Sequence, residues 1–504
     1  MKNKLRDLRI NCFSFSKINI FYLILSVFFF IRVFYLFKFP IREDELSHLR
    51  YAANLAYGYI PFYDFFDIYL PLFNIILTPF IFIFKFDHNI VFYVRLFMVV
   101  YFQIGLLFYY KLLKKYFSNS VAIIATILFT SSVVFFMESM EIRQFHLSFP
   151  TYIIFLYYII QDSWFTKRAS IVSGIVLFII LSMDHRSAIF IAVHLFVYRQ
   201  YKIENRKIMY LSFFFLVTSA ISLIWSFDSR VLIAFFNVAR TMAGKSDLIS
   251  PYNFKLLLTD ISFYLIPFAC FLHFFKRTQS KLTIFNENIV LFFILLILIF
   301  SKRPNAIYVY ILPYFSVKIS DFYMYMVKRR FNGRWINFGI ILILFTNLII
   351  YAEVKNRSFN DLLQREMIML KIINSKVKAG QRIMNLSRFQ FDIFGKYISP
   401  FAIQVEEDVT CGLKKLKIMN YFNEQILGLL ETRKYNYIIY DEKDYYLNSK
   451  ISNFIKNEYH KISWFLYENN QISASLNYDD LRKDNVFRCS NFLSKIANIK
   501  VNNL

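Results

Sequence analysis

The feature that most constrains this chain is a succession of apolar runs, most of them near the length that crosses a lipid bilayer, separated by short basic tracts. About 20 apolar residues in a helix span the hydrocarbon core. The first such run covers 18–37. Further membrane spans are expected near 90–110, 119–137, 147–161, 169–183, 186–198, 208–227, 259–275, 286–301, 304–320 and 335–352.

Composition supports a membrane protein and argues against several soluble classes. Hydrophobic residues make up 57% of the chain and charged residues only 18%, which is too little charge for a soluble protein of this length. The net charge of +25 would suggest nucleic acid as a partner of a soluble protein. Here the basic residues lie between apolar runs, so the expected partner is the lipid bilayer, with no nucleic acid.

The basic tracts also predict the orientation, because Lys and Arg collect on the cytoplasmic side of membrane proteins. A basic flank at 2–17 precedes the first span, which places the N-terminus in the cytoplasm. The first span is expected to be retained and not to be removed as a signal peptide. The later tracts face the cytoplasm only if the run at 71–84, which contains Pro71 and Pro79, lies on the outer surface instead of crossing. These tracts are 111–115, 167–168, 199–207, 276–281 and 328–334.

The fold class that follows is an all-α polytopic membrane bundle of about 11 transmembrane helices with outer surface helices. It would cover 1–352, with a first outer loop at 39–89.

The tail, 353–504, has helical spacing at 365–377, 422–430 and 451–455, and strand-like runs at 382–386 and 435–440, which predict a small α/β extracytoplasmic domain. The expected location is the cell (inner) membrane, with this domain in the periplasm. Within it, Cys411 and Cys489 either pair in an oxidising compartment or stay free.

Under this orientation, acidic and histidine residues near the span ends collect on the outer face. Polar chemistry at one face indicates a site at the outer membrane interface, with no charged relay at mid-depth. The members of this set are Glu43, Asp44, Glu45, His48, Asp64, Asp67, His88, Glu138, Glu141, His146, Asp184 and His185, together with the basic pair Lys302 and Arg303.

The first outer loop contains the densest group of these residues. Residues 44 and 48 lie one helical turn apart and share a face, in a segment expected to be helical to about Tyr57 and to end at Gly58 and Pro61. Carboxylates this close to an apolar span cost desolvation energy unless they have a use. The alternative is that they are solvated loop charges.

Two stretches of the chain match a known pattern. In the loop the matching residues are Asp44, Glu45, Tyr51, Ala52, Ala53, Ala56, Gly58, Pro61, Tyr63, Asp64, Phe65, Pro71 and Leu72, and in a late stretch they are Lys302, Tyr308, Tyr310, Leu312 and Pro313. With these residues the loop resembles the first outer loop of GT-C glycosyltransferases, most of all the protein O-mannosyltransferase and aminoarabinose-transferase (ArnT-like) type. The late stretch is similar to the pattern of a basic residue followed by Tyr-Leu-Pro in the late spans of that family.

The resemblance implies a transferase that uses a polyprenyl-phosphate-linked sugar, with the first acid of the Asp-Glu pair, here Asp44, at the catalytic centre. The family often has a second acid after an Arg at the outer end of the third span. Arg143 is present at this position, but the following Asp is missing. Glu138, Glu141 or His146 would then replace it.

These residue types suit the chemistry that the resemblance implies. A base is needed for the acceptor hydroxyl, the role assigned to Asp44. Cations are needed for the developing phosphate charge, which Arg143, Lys302 and Arg303 would supply. The remaining substrate-binding candidates are Glu45, His48, Asp64, Asp184 and Tyr310.

Most of these residues also have a plainer interpretation. Glu45 would cap the local helix, His48 would be a surface histidine, and Arg143 would extend to the interface from a span end. Asp64 would tie the loop to a neighbouring Arg, and Asp184 would form a local ion pair. The spacing of Asp44, Glu45 and His48 is not diagnostic of a metal site, so no metal ligand or other cofactor is assigned, although a divalent metal is compatible with it.

The function predicted from the sequence is transfer of a hexosyl or pentosyl group from a polyprenyl-phosphate donor to a hydroxyl of a glycolipid, polysaccharide or protein of the cell envelope. One alternative is a transporter or flippase of lipid-linked glycans. That function needs charged residues along a path through the membrane, for which Arg95 and His194 are the candidates. The other alternative is a non-catalytic envelope assembly protein.

Overall fold

A computed structural model of the chain describes 21–37, 39, 41, 43–56, 58, 71–84, 89–159, 167–183 and 206–227. It also describes short stretches of the C-terminal half: 316–317, 319–320, 324, 347, 368–369, 371–373, 375–377, 383–386, 427–428, 430–431, 436–440, 449–463 and 465–469. The spans expected at 186–198, 259–275 and 286–301, and most of those at 304–320 and 335–352, lie outside the described residues.

The described part of the chain is mostly helical. Its helices are α1 (Phe21–Leu36), α2 (Glu43–Ala56), α3 (Leu72–Phe84), α4 (Ile90–Tyr116), α5 (Asn119–Thr130), α6 (Val133–Glu138), α7 (Gln144–Ile159), α8 (Lys167–Met183), α9 (Arg206–Phe227) and α10 (Ser449–Glu458).

By their contacts, the residues divide into two compact units. The first unit comprises Met1–Phe39, Phe92–Phe214 and Asp247–Phe359, and the second comprises Pro40–Val91, Phe215–Ser246 and Asn360–Leu504. The core of the first unit includes apolar side chains of α1, α4 and α6 with their flanking residues. Buried members of this core are Leu36, Phe39, Val99, Val133, Phe136, Met137 and Met140.

Helices occur at the described apolar runs. Within the described ranges, only Ile90–Tyr116 passes a test of length and composition for a membrane span, with a mean hydropathy of 2.0 over its most apolar window. The apolar helices Phe21–Leu36, Leu72–Phe84 and Asn119–Thr130 are shorter. The number of spans and the domain boundary near 352 stay predictions.

The run at 119–137, expected as a membrane span, is divided into two helices. α5 ends at Thr130, and α6 begins at Val133. The Ser131 hydroxyl donates to the backbone oxygen of Leu128 at 3.0 Å, and the Ser132 hydroxyl accepts from the backbone N–H of Phe135 at 3.3 Å. Two adjacent serines offer the backbone alternatives to helical hydrogen bonds, so one helix ends and a new helix is capped at this point.

Two buried arginines hold α1 in the first unit. Arg32 donates to the backbone oxygen and the Oγ1 of Thr130, both at 2.8 Å. Arg95 donates to the backbone oxygens of Leu36 and Phe39, at 3.1 Å and 2.9 Å. Carbonyls at a helix C-terminus lack partners inside the helix, so Arg95 caps the end of α1. Arg95 therefore stabilises the end of α1. In the transporter alternative, Arg95 would instead line a path through the membrane.

A small mixed sheet forms in the tail. Its strands are β1 (Ile383–Asn385), β2 (Tyr437–Ile439), β3 (His460–Lys461) and β4 (Leu466–Glu468), in the order β1-β2-β4-β3. β1 pairs with β2 in parallel, and the β2–β4 and β3–β4 pairs are antiparallel. The expected strands at 382–386 and 435–440 are thus confirmed, and α10 buries Ile451 and Ile455 as its spacing predicted. The location of this α/β tail outside the membrane stays a prediction.

Candidate functional site

The helix that carries the Asp-Glu pair ends within one residue of the position that its sequence predicted. α2 runs from Glu43 to Ala56, so Asp44 and Glu45 lie in its first turn, where the helix dipole favours acidic residues. Gly58 follows with φ of +81°, a backbone conformation that glycine adopts without a steric penalty. Its N–H donates to the backbone oxygen of Leu55 at 2.9 Å, which closes the helix end.

The polar residues of α2 are enclosed by protein. Glu45 is 0% exposed, His48 is 3% exposed and Arg50 is 4% exposed. The alternatives of a solvated Glu45 and a surface His48 therefore do not hold. Ionisable groups are rarely buried unless they have partners, and burial of this many on one helix is typical of a binding site or a structural polar network. The side chain of Asp44 lies outside the described residues.

His48 connects α2 to α3 through a side chain that the sequence analysis missed. Its Nδ1 lies 3.2 Å from Oδ1 of Asn74. An amide oxygen only accepts, so the Nδ1–H of His48 donates to Asn74. The edge of the Phe73 ring packs against the imidazole, with the ring centroids 4.9 Å apart. In the sequence, Asn74 is the one amide side chain in the mostly apolar run at 72–84. This feature could have indicated a buried polar contact.

A second polar group lies at the link between α6 and α7, in the first unit. Nε2 of His146 is 2.5 Å from Oε2 of Glu138, and Nδ1 of His146 is 2.8 Å from the backbone oxygen of Glu141. Glu138 is 4% exposed, Glu141 1% and His146 0%. A carbonyl only accepts, so the Nδ1–H of His146 donates to Glu141, while Nε2 faces the Glu138 carboxylate.

Arg143 completes this group. Its Nε lies 3.1 Å from Oε2 of Glu141, and the residue is 9% exposed. Arg143 therefore forms an ion pair with Glu141. The plainer interpretation, a side chain that only extends to the membrane interface, does not describe this contact. Of the residues that the sequence offered as replacements for the missing second acid, the structure brings all three together: Glu138, Glu141 and His146 offer ligand atoms within 4.8 Å of one another.

Aromatic rings form one wall of this buried group. The ring centroid of Phe102 lies 6.1 Å from that of His146 and 6.1 Å from that of Phe149. The Phe135 ring contacts Phe102 at 5.3 Å between centroids. Such a wall excludes water and strengthens polar interactions on its inner side.

The other predicted site residues lie outside the described part of the chain. They are Asp64, Asp184, Lys302, Arg303 and Tyr310, and their roles stay predictions. Asp44 is described only through its backbone position in α2.

Comparison with protein-family models gives no match, and comparison with curated protein sequences gives none either. The fold, in contrast, is similar to the crystal structure of ArnT from Cupriavidus metallidurans bound to undecaprenyl phosphate. The TM-score is 0.55 at 9% sequence identity, and the match covers 90% of this chain and 97% of that chain. At this identity the likeness concerns the fold alone. The chain thus has a fold similar to that of ArnT, and its membership of the GT-C glycosyltransferases stays a prediction.

Proposed function

We propose that this protein is an integral membrane glycosyltransferase that moves a sugar from a polyprenyl-phosphate donor to an acceptor hydroxyl at the outer face of the membrane. The observation that carries the proposal is the likeness of nearly the whole chain to the fold of ArnT, which was crystallised with undecaprenyl phosphate. Fold likeness alone does not determine an activity. Support from the residues of this chain is therefore needed, and α2 supplies it.

The proposal assigns the base to Asp44. Its position in the first turn of α2, beside the buried Glu45 and one turn before the buried His48, agrees with the Asp-Glu pair of the GT-C loop that the sequence resembles. The His48–Asn74 hydrogen bond fixes α2 against α3. A helix held in this way keeps a catalytic carboxylate in a constant position, which reaction between two bound substrates requires.

The reaction is a single displacement. The Asp44 carboxylate accepts the proton of the acceptor hydroxyl while the oxygen attacks the anomeric carbon of the donor sugar. The bond between that carbon and the phosphate oxygen breaks, and the polyprenyl phosphate leaves with the electron pair as a stable anion. A strong general acid is not needed for such a leaving group, and the anomeric configuration is inverted.

The cations proposed to bind the phosphate are Arg143, Lys302 and Arg303. Arg143 is a planar donor that suits bidentate phosphate contacts, and Glu141 holds its Nε. Preorganised cations stabilise the negative charge that develops on the leaving group. Glu45, His48, Asp64, Asp184 and Tyr310 are proposed to contact the sugar or the acceptor. A lipid carrier implies a bilayer location, proposed to be the inner membrane with the α/β tail in the periplasm.

The test uses the full chain in membranes from a strain that lacks the gene. A panel of labelled undecaprenyl-phosphate hexoses and pentoses is supplied, and two products are measured: free undecaprenyl phosphate and label in any envelope acceptor. The native chain is expected to release the carrier and transfer label from one sugar of the panel. Asp44→Asn should lower the rate at least about 100-fold, because general base catalysis contributes about 100- to 10,000-fold.

The matched control is Glu431→Gln, which removes one carboxylate charge from an exposed position and should leave transfer unchanged. Transfer by Asp44→Asn at the native rate would refute the role of Asp44 as base. No transfer by the native chain with any donor of the panel would contradict the enzymatic proposal and favour an assembly protein.

A further inference from the structure

We propose that Glu138, Glu141 and His146 bind a divalent transition-metal ion of the zinc type. The inference is independent of the glycosyltransferase proposal, because it rests on a side-chain group in the first unit and is tested by bound metal. The sequence analysis considered a metal only at Asp44, Glu45 and His48. The three residues proposed here come from the end of α6, the link between the helices and the beginning of α7.

The local backbone brings the three ligands together. Ser139 ends α6, with its hydroxyl donating to the backbone oxygen of Phe136 at 2.8 Å. The chain then turns, and the N–H of His146 donates to the backbone oxygen of Arg143 at 3.1 Å, at the beginning of α7. One tight reversal of the chain therefore directs Glu138, Glu141 and His146 toward a common point.

The imidazole of His146 has the orientation that a metal ligand needs. Its Nδ1–H donates to the backbone oxygen of Glu141 at 2.8 Å. Histidines that bind metals usually donate their other ring N–H to a carbonyl or a carboxylate, which fixes the tautomer and leaves a lone pair for the ion. Here the second nitrogen is Nε2, which lies 2.5 Å from Oε2 of Glu138. A contact this short needs a proton between the two atoms, and a bound ion would replace that proton.

The spacing of the ligand atoms suits a single ion after small movements. The three ligand atoms lie within 4.8 Å of one another. Bonds of about 2.0–2.2 Å at a tetrahedral ion place ligand atoms roughly 3.4 Å apart. Side-chain movements of about 1 Å would bring the group to that geometry. Three protein ligands leave a further position for water.

The donor set selects the class of ion. One imidazole nitrogen with two carboxylates suits zinc and its neighbours among the divalent transition metals, whereas magnesium and calcium prefer oxygen ligands alone. Phe102 packs against the His146 ring, and an apolar surrounding of this kind limits the access of water to a metal. Arg143 opposes the binding of a cation by its charge, and its Nε lies 3.1 Å from Oε2 of Glu141. A proton competes with the metal ion for the position between Nε2 of His146 and Oε2 of Glu138.

The experiment measures zinc in the full chain purified in detergent with any affinity tag removed. The protein is treated with a chelator, incubated with Zn²⁺, desalted and analysed by mass spectrometry of its metal content. The native chain is expected to retain about one equivalent. Glu138→Gln and His146→Asn should each lower the retained zinc at least about 10-fold, because each removes one of three ligands.

Two control variants separate loss of a ligand from general disturbance. His460→Asn removes an exposed histidine, and Phe149→Leu disturbs the packing of α7 beside the group. Both should retain zinc at the native level. Loss of zinc in Phe149→Leu as large as in His146→Asn would contradict the proposal, and so would native retention in the two ligand variants.

A measurement on the native chain covers the case in which the ligand variants fail to fold. X-ray absorption at the zinc edge should show a first shell of nitrogen and oxygen at about 2.0–2.2 Å, with outer-shell scattering from one imidazole. Sulfur in the first shell, two or more imidazoles, or no retained zinc would each overturn the assignment. In the last case the Glu138–His146 contact is held by a proton.

Discussion

The imidazole of His48 donates to the amide of Asn74 at 3.2 Å, and both side chains are buried, at 3% and 1% exposure. The pair joins α2, the helix that carries Asp44, to α3. An apolar helix such as α3 gains little from an amide at this position unless the amide serves a polar neighbour. The contact therefore provides the sharpest test of how α2 is held.

We expect Asn74→Leu to lower the free energy of unfolding of the second unit by about 1–3 kcal/mol, because a buried donor on His48 loses its acceptor. In a double-mutant cycle with His48→Gln, the loss in the double variant should be smaller than the sum of the two single losses. Thermal unfolding of the chain in detergent would measure all four proteins. Strictly additive losses would contradict the coupling.

Arg95 is predicted to stabilise the first unit through the end of α1. Arg95→Met keeps much of the side-chain volume but removes the donor to the Leu36 and Phe39 carbonyls. The expected loss is about 1–3 kcal/mol, the cost of buried acceptors left without that donor. Arg168→Met, at an exposed position, is the matched control and should change stability by less than about 0.5 kcal/mol. Equal melting temperatures for the two variants would refute the capping role.

Gly174 is predicted to be required for the close approach of α8 and α9. A Cβ at this position would lie 2.6 Å from the backbone oxygen of Met209 and 3.0 Å from the backbone nitrogen of Phe213. Backbone atoms cannot give way cheaply, so Gly174→Ala should destabilise the first unit by about 1–3 kcal/mol.

The control is Gly428→Ala, at a helical position where a Cβ would meet nothing within 4 Å. Alanine there should be neutral or stabilising by up to about 1 kcal/mol, because it favours the helix. A native melting temperature for Gly174→Ala would show that the two helices have room to separate.

The orientation of the membrane spans is tested by reporter fusions. Fusions after residues 116 and 160 should report a cytoplasmic location, because the basic tracts at 111–115 and 167–168 then lie inside. A fusion after residue 88 should report the outer side. Outward signals after 116 and 160 would overturn the count of about 11 spans and the outer location of the α2 site.

Several elements follow from local sequence because their causes are local. α2 ends where Gly58 permits a positive φ. The apolar runs at 90–110 and 169–183 are helical as expected, and so are residues 147–159 of the run at 147–161. The strands at 383–385 and 437–439 come from short apolar runs. The hairpin of β3 and β4 was not predicted, because β3 is two exposed residues, His460 and Lys461, without alternating burial.

The sequence alone therefore predicted the membrane character of the chain and the helical form of its apolar runs, and it offered Asp44, Glu45 and His48 as candidates. Hydropathy, turn residues and helical spacing are properties of neighbours along the chain. Only the tertiary structure decided that His48 meets Asn74, that Arg32 binds Thr130, and that Glu138 and Glu141 converge on one imidazole. Burial and side-chain pairing depend on which helices pack together and on where a serine pair breaks one of them. Neither the packing partners of a helix nor the position of such a break can be inferred from the type of one residue.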